Sequence, residues 1–332
     1  MKRSCCTRAS APVALPGGVA DTATSTGFVV GETGVLEAID LADGRVRWGL
    51  PGAAPLIALH GTLFAAVAES GVRVVALDGG TGARQFAAQL LLSGPPPVFF
   101  AARLDGGRLM VAWRERAPTQ AAQPVARPLF EEEHAAAVDL TSGRVQSIPV
   151  AEAAPPTPPP TGVDVATLLL DQTGTVRAWA HGDSIAALSV DGGALILRTF
   201  SHLGGAAVST STLLPSLPAP GYFRNYRPPD GAHVYLVLCN DRPEGGVPPG
   251  GRCRWAVFAV DTGARVADVP FEPSGLPPAP ALLGTRLYYA VSAGAGAYLE
   301  RRRLRAVDVA TAATVWEHPL ASADRPSPIP GG

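Results

Sequence analysis

The sequence predicts an all-β protein built from a repeated antiparallel unit, and three observations support this prediction. Short apolar runs of about four to eight residues dominate, and few windows keep apolar residues at helical spacing. The 37 glycines and 33 prolines among 332 residues far exceed their usual share, and they cluster in turn signals between the runs. One short motif also recurs along the chain, which is typical of repeat proteins.

The recurring motif is Ala, an apolar residue, Asp, two variable residues, Thr, Ser or Asp, and Gly, followed by a strand. The apolar run before the Asp predicts a buried strand, the Asp accepts backbone N–H bonds in the turn, and the Gly supplies a positive φ. An aromatic residue on the next strand would bury about 150–250 Å² against the neighbouring sheet. The predicted structural positions are Asp40, Trp48, Asp78, Phe86, Asp139, Asp261, Asp308 and Trp316, with Ser147 replacing the aromatic after Asp139.

Two further strands precede each motif as a hairpin. These hairpins are predicted within residues 56–67, 99–113, 222–238 and 282–291. A four-stranded antiparallel unit of about 40–50 residues is a propeller blade, so we predict a β-propeller. Third strands near Asp40, Asp78, Asp139, Leu197, Asp261 and Asp308 favour six blades.

Seven blades are the alternative, because residues 165–171 could contribute to another blade. We expect one propeller domain over residues 11–320, a disordered tail at 1–10 and a Pro/Gly-rich tail at 321–332. The N-terminal segment is expected to close the ring by joining the last blade, because an open edge favours aggregation.

The repeat resembles the tryptophan-docking (PQQ-like) repeat of quinoprotein-like β-propellers over residues 11–320, and also the repeats of surface-layer (YVTN/WD40-like) propellers. That family includes quinone-dependent alcohol dehydrogenases and non-catalytic outer-membrane assembly lipoproteins. The repeats are degenerate, since Trp occupies the docking position only at Trp48 and Trp316. No calcium ligand or cofactor-stacking Trp of the family can be matched, so the resemblance is closer to the non-catalytic members.

The cysteines leave the compartment open. Cys239 ends one predicted strand and Cys253 begins the next, so a disulfide and two free thiols are both compatible with the sequence. A disulfide, and the family resemblance, favour the cell envelope. The first 18 residues lack the apolar core of a secretory signal, which favours the cytoplasm unless the start is misplaced.

Long insertions are predicted between the second and third strands of three blades, at 117–130, 240–252 and 294–301. Loops on a rigid scaffold commonly bind partners. Arginines collect there and form a candidate binding rim: Arg114, Arg116, Arg242, Arg252, Arg301, Arg302 and Arg303. The rim is interpreted either as a site for an acidic partner or anionic ligand, or as a solvated surface of mixed charge.

No catalytic, metal-binding or cofactor-binding residue is predicted. The six histidines lack metal-ligand spacing, and no nucleophile elbow, phosphate loop or calcium loop occurs. The net charge of −1 argues against a general nucleic-acid binder, and no apolar run is long enough for a transmembrane helix. We therefore predict a non-enzymatic, monomeric propeller that binds a protein or cell-envelope partner. The alternative is a quinone- or metal-assisted oxidoreductase, or a lyase, acting at the central channel.

Overall fold

The computed structural model of the protein describes residues 13–69, 71–90, 92, 97–116, 131–153, 175–181, 184–201, 207–217, 222–226, 231–239, 253–271, 279–293 and 301–321. Most of these residues lie in antiparallel strands, and one helix of four residues is present among them. No helix in this part of the chain is long and apolar enough to cross a membrane. The strands form one five-stranded and five four-stranded antiparallel meanders of the propeller-blade type, which confirms the predicted fold class.

The strands divide into two compact units, and the first unit holds three sheets. Sheet 1 contains β1 (Val13–Leu15), β2 (Gly18–Asp21), β3 (Thr26–Val30), β4 (Val35–Asp40) and β5 (Val46–Pro51). Sheet 2 contains β6 (Ala53–Leu59), β7 (Thr62–Glu69), β8 (Gly71–Asp78) and β9 (Arg84–Gln89). Sheet 3 contains β10 (Val98–Asp105), β11 (Arg108–Arg116), β12 (Glu131–Asp139) and β13 (Val145–Ser147), followed by helix α1 (Val150–Ala153).

The second unit also holds three sheets. Sheet 4 contains β14 (Thr175–His181), β15 (Ser184–Asp191), β16 (Ala194–Ser201) and β17 (Ala207–Leu214). Sheet 5 contains β18 (Tyr222–Tyr226), β19 (His233–Cys239), β20 (Cys253–Ala259) and β21 (Arg265–Phe271). Sheet 6 contains β22 (Ala281–Leu283), β23 (Arg286–Ala293), β24 (Arg301–Asp308) and β25 (Thr314–Leu320).

Apolar clusters join consecutive sheets inside each unit. In the first unit, Phe28 of sheet 1 and Leu63 of sheet 2 belong to one buried cluster. In the second unit, Trp255 of sheet 5 and Tyr289 of sheet 6 belong to another, and their rings lie 6.3 Å apart. The core therefore sits between sheet faces, because alternate residues of the strands point into these layers.

Sheet 1 departs from the predicted pattern at its N-terminal edge. Its first strand, β1, pairs with β2 through Val13↔Ala20 and gives the sheet five strands. The N-terminal segment was expected to pair with the last blade. That expectation is wrong for β1, because β1 pairs with β2 and the described strands of sheet 6 all come from residues 281–320. Residues 165–171 and the tails at 1–10 and 322–332 lie outside the described residues. The blade number and the single-domain organisation therefore stay predictions.

Four of the predicted aspartates organise the last turn of their sheets. An oxygen of Asp78 accepts from the backbone N–H groups of Gly80 and Thr81 at 3.1 and 2.9 Å. Asp139 and Asp308 accept in the same way from the residues two and three positions ahead, and Asp40 accepts from Ala42. The sequence motif therefore marks a turn in which the carboxylate replaces backbone acceptors.

Asp261 was assigned to the same position, and the hydrogen bonds of its turn correct this. In the first sheet, Asp40 N–H donates to Arg45 O and Gly44 N–H donates to Asp40 O. In sheet 5 the matching donors and acceptors belong to Ala259, which pairs with Ala264 and Gly263. Ala259 thus ends the strand, and Asp261 lies two residues further on.

Candidate binding ends of the sheets

Each sheet has two different ends. The turn end carries the turns between its first and second and between its third and fourth strands, counting β2 as the first strand of sheet 1. The loop end carries the connection between the second and third strands. The longest turn-end connection runs from 227 to 232, whereas loop-end connections run over 117–130, 240–252 and 294–300 in sheets 3, 5 and 6.

The turn end is used for contacts between neighbouring sheets. Trp48 of β5 donates its indole N–H to Gly79 O in the last turn of sheet 2, at 3.0 Å. The carboxylate of Asp21 accepts from Gly61 N–H of sheet 2 at 2.5 Å and is itself 2 % exposed. These two bonds join sheet 1 to sheet 2.

The aromatic residues after the motif, Trp48, Phe86 and Trp316, differ in their burial and in what they contact. Trp48 is half-buried, and a Cβ atom at Gly82 would lie only 2.9 Å from its Cδ2. Phe86 of sheet 2 lies over Gly143 of sheet 3 in the same way, with 3.7 Å between Phe86 Cε2 and a Cβ there. Trp316 is 8 % exposed and packs against Tyr288 of its own sheet, with 5.7 Å between ring centroids. Its packing between blades stays a prediction.

The loop end of sheet 3 carries a cross-strand ion pair. Arg114 and Glu133 are register partners on β11 and β12, and Arg114 Nε lies 3.0 Å from Glu133 Oε1. Both side chains are about half exposed, at 46 and 45 %. This part of the predicted rim is therefore of mixed charge, because the arginine has a carboxylate beside it.

The loop end of sheet 6 is richer in positive charge. Arg303 Nη1 and Arg305 Nη2 lie 3.0 and 2.6 Å from the two carboxylate oxygens of Glu317. Burial raises the pKa of Glu317, but the hydrogen bonds from Arg303 and Arg305 outweigh it and hold the pKa below its usual value. Arg302 is half-buried, and no salt bridge joins it to another described residue.

The other rim arginines cannot be placed in the same detail. Arg116 and Arg301 end or begin their strands, while Arg242 and Arg252 lie outside the described residues. Sheets 3 and 6 belong to different units. The single rim formed by all seven arginines therefore stays a prediction.

A disulfide closes the loop end of sheet 5. Cys239 and Cys253 are register partners at the last pair of β19 and β20, and the structure joins them by a disulfide. They are 1 and 3 % exposed and belong to the apolar cluster between sheets 5 and 6. The bond thus fixes both ends of the 240–252 connection against the core; its redox state in the native compartment stays a prediction.

A buried polar cluster at the loop end of sheet 3 was missed in the sequence. Trp113 donates its indole N–H to Glu115 at 2.7 Å, and the Glu115 residue is 5 % exposed. The ring of His134 stacks on Trp113 with centroids 5.9 Å apart. The signal was present, because Glu115 is in phase with the buried Val111 and Trp113 on β11.

The described residues contain no metal-binding cluster. Among them, no three His, Cys, Asp or Glu side chains converge into a group that could hold a metal ion. No residue is assigned to a metal or a cofactor.

Comparison with solved structures returns matches of low similarity. BamB from Moraxella catarrhalis is 14 % identical, with 80 % of this chain and 67 % of that chain covered and a TM-score of 0.28. Quinohemoprotein alcohol dehydrogenase from Comamonas testosteroni is 12 % identical, with 94 and 67 % covered and a TM-score of 0.39. The Cps50 (Swd1) β-propeller domain of Myceliophteria thermophila is 13 % identical, with 93 and 88 % covered and a TM-score of 0.29.

No protein-family model matches the chain, and a comparison with curated proteins finds no match. The similarities to solved structures are too low to carry activity or partners to this chain. The antiparallel meander sheets are those of a β-propeller, the predicted fold class, and Trp48 docks on the last turn of the next sheet.

Proposed function

We propose that the protein is a non-enzymatic β-propeller that binds or scaffolds a protein or cell-envelope partner at the loop ends of its sheets. The observation that carries this proposal is that the two ends of the sheets differ: turn-end side chains bond neighbouring sheets, and the long connections lie at the loop ends. Turn-end side chains such as Trp48 and Asp21 are used in sheet-to-sheet hydrogen bonds. The three longest connections within sheets leave from loop ends, where variable length is tolerated and partners commonly bind.

The charge at the loop end of sheet 6 supports an acidic protein partner. Arg302, Arg303 and Arg305 lie on one strand, and Glu317 is the carboxylate paired with the last two. No salt bridge joins Arg302 to another described residue. Its guanidinium can donate two parallel hydrogen bonds to one carboxylate.

The test is a comparison of binding by two charge-neutralising variants of one hairpin. Arg302→Gln removes the loop-end charge, whereas Arg286→Gln removes the same charge from the turn end of β23. We expect the partner captured by wild type to be lost or weakened with R302Q and retained with R286Q, and capture by wild type to fall as salt rises. Equal capture by both variants would remove the support for a loop-end site.

An enzymatic role is tested separately. Reconstitution with pyrroloquinoline quinone and calcium, followed by dye reduction with alcohol substrates, should give no turnover. Specific cofactor uptake with turnover would replace the binding role by the quinone-dependent alternative. A monomer is expected, and sedimentation of the full chain checks it.

A further inference from the structure

The imidazole of His181 joins sheet 4 to sheet 5 through both of its ring nitrogens. His181 ends β14, the first strand of sheet 4. Its Nδ1 lies 2.9 Å from Gly231 O, which precedes β19, and its Nε2 lies 2.6 Å from Asp261 Oδ1 in the last turn of sheet 5. The His181 side chain is 14 % exposed and the Asp261 side chain 71 % exposed.

The two partners of the ring are both acceptors. A backbone carbonyl has no proton to give, so Nδ1 must carry the hydrogen of the contact with Gly231. A carboxylate has none either, and an exposed carboxyl group loses its proton well below neutral pH. The 2.6 Å contact with Asp261 therefore also requires a hydrogen on Nε2. A neutral imidazole carries one ring hydrogen and can satisfy only one of these contacts.

We propose that His181 is held as the imidazolium in the folded protein and acts as a proton-dependent clasp between sheets 4 and 5. When the second proton leaves, one of the two bonds is lost, and a ring lone pair faces either the Asp261 carboxylate or the Gly231 carbonyl. The clasp closes as pH falls and opens as pH rises.

The surroundings of the ring favour this assignment. Trp179, two residues earlier on β14, donates its indole N–H to the same Gly231 oxygen at 3.2 Å, so that carbonyl is oriented as an acceptor. Asp261 is the charged group that faces the ring from the β20–β21 turn. The cation described next on that segment, Arg265, is turned to Asp268 at 2.6 Å and does not compete for Asp261 at that atom.

The clasp exists because the fifth sheet departs from the repeat. In other sheets the strand-end aspartate is used by its own turn, as Asp78 and Asp139 are. In sheet 5 that position is Ala259, and the carboxylate at Asp261 reaches the neighbouring sheet instead. A histidine facing this carboxylate links the junction to the range of about pH 5 to 8 in which histidine titrates.

The first experiment reads the protons directly. Nitrogen-15 spectra of the full chain labelled at its six histidines are recorded at about pH 7, where an ordinary histidine with a pKa of about 6.5 is mostly neutral. His181 is assigned with the His181→Gln variant. Protons on both ring nitrogens of His181, with the Nε2 proton lost in Asp261→Asn, are expected. An unprotonated His181 ring nitrogen in wild type at that pH would overturn the proposal.

The second experiment reads the consequence for the fold. The melting temperature of wild type should fall by about 2–4 °C between pH 6 and pH 8, as expected for one charge-assisted hydrogen bond, and this fall should vanish in D261N. D261N changes an exposed side chain and leaves the bond to Gly231, so it is expected to fold even where H181Q does not. His60→Asn, at an exposed turn histidine of the first unit, should keep the wild-type fall. An identical pH dependence in wild type and D261N would refute the clasp.

Discussion

Gly82 and Gly143 provide a matched pair that isolates the energy of tryptophan docking. Both occupy the same place in the last turn of their sheets, and both have φ of +73°. An alanine at either position pays for the left-handed backbone, at about 1–2 kcal/mol. At Gly143 the new Cβ meets Phe86 Cε2 at 3.7 Å, an ordinary contact, so we expect Gly143→Ala to lose about that amount.

Gly82→Ala has an additional cost because its Cβ would stand 2.9 Å from Trp48 Cδ2 and 3.1 Å from Cε3. The indole must move, and its bond to Gly79 O is then broken or stretched, which costs about 0.5–1.5 kcal/mol more. G82A should therefore be the more destabilising variant by roughly 1 kcal/mol.

Urea unfolding followed by circular dichroism measures both variants at the same protein concentration. Tryptophan emission gives an independent signal, since displacement of Trp48 should change it in G82A and leave it unchanged in G143A. Equal free energies of unfolding for the two variants would show that Trp48 does not depend on the glycine below it, and the docking argument would fail.

Three further predictions follow from the described contacts. Trp316→Ala should lower the free energy of unfolding by about 3–5 kcal/mol and Trp48→Ala by less, because Trp316 is buried and Trp48 is half-buried. Thermal melts in which neither variant is destabilised would contradict the blade assignment. The double change C239S/C253S should cost about 3 kcal/mol in the chain-entropy description, and peptide mass spectrometry without reductant should find the disulfide; two free thiols in protein from its native compartment would disprove it. Hydrogen bonds from Thr81, Ser142 and Thr311 lower the pKa values of Asp78, Asp139 and Asp308, so the stabilisation from these carboxylates is present above about pH 4 and is lost as pH falls through the lowered values. Thermal melts recorded from pH 5 downward should therefore show a smaller loss of melting temperature in the triple Asp→Asn variant than in wild type. An equal loss in both proteins would contradict this prediction.

The hairpins were predictable because each consists of two apolar runs joined by a short turn signal in consecutive sequence. Turn signals such as Asp105-Gly106-Gly107 and His60-Gly61 lie between apolar runs, and the structure places β10–β11 and β6–β7 around them. Sheet 4 lacks the repeat motif, yet its third strand β16 contains Leu197, where a third strand was predicted. Local pattern was sufficient because strand alternation and turn chemistry act over a few residues.

The assignment of Asp261 failed for a reason that sequence spacing cannot resolve. Ala259-Val260-Asp261 resembles Ala-Val-Asp in the other motifs, yet the turn is set by Gly263 N–H bonding to Ala259 O. The shortened copy has two fewer residues between the Asp and the Gly, so either the Asp or the Gly can be aligned, and the positive φ of Gly263 decides.

The candidate site was predictable in its residue types and less so in its pairing. That Arg114 faces Glu133, and that Arg303 and Arg305 share Glu317, depends on the register of neighbouring strands. The contact of His181 with Asp261 joins residues 80 positions apart in neighbouring sheets. Such pairs are decided by sheet-to-sheet packing, which one sequence does not encode in any local pattern.

The docking contact differs between sheets in the volume of the side chains that meet there. A large Trp48 meets Gly82, a smaller Phe86 lies over Gly143, and Ser211 of sheet 4 sits where a Cβ on Gly263 would be. In sheet 5 the register partner that corresponds to Trp48 is the small Ala267, and the following turn has Ala312 at φ +55° in place of glycine. Blades exchanged by recombination would therefore mismatch at this contact: a blade ending in tryptophan could not precede one whose turn carries Ala312. The order of these repeats is constrained by side-chain volume even where their backbones are interchangeable.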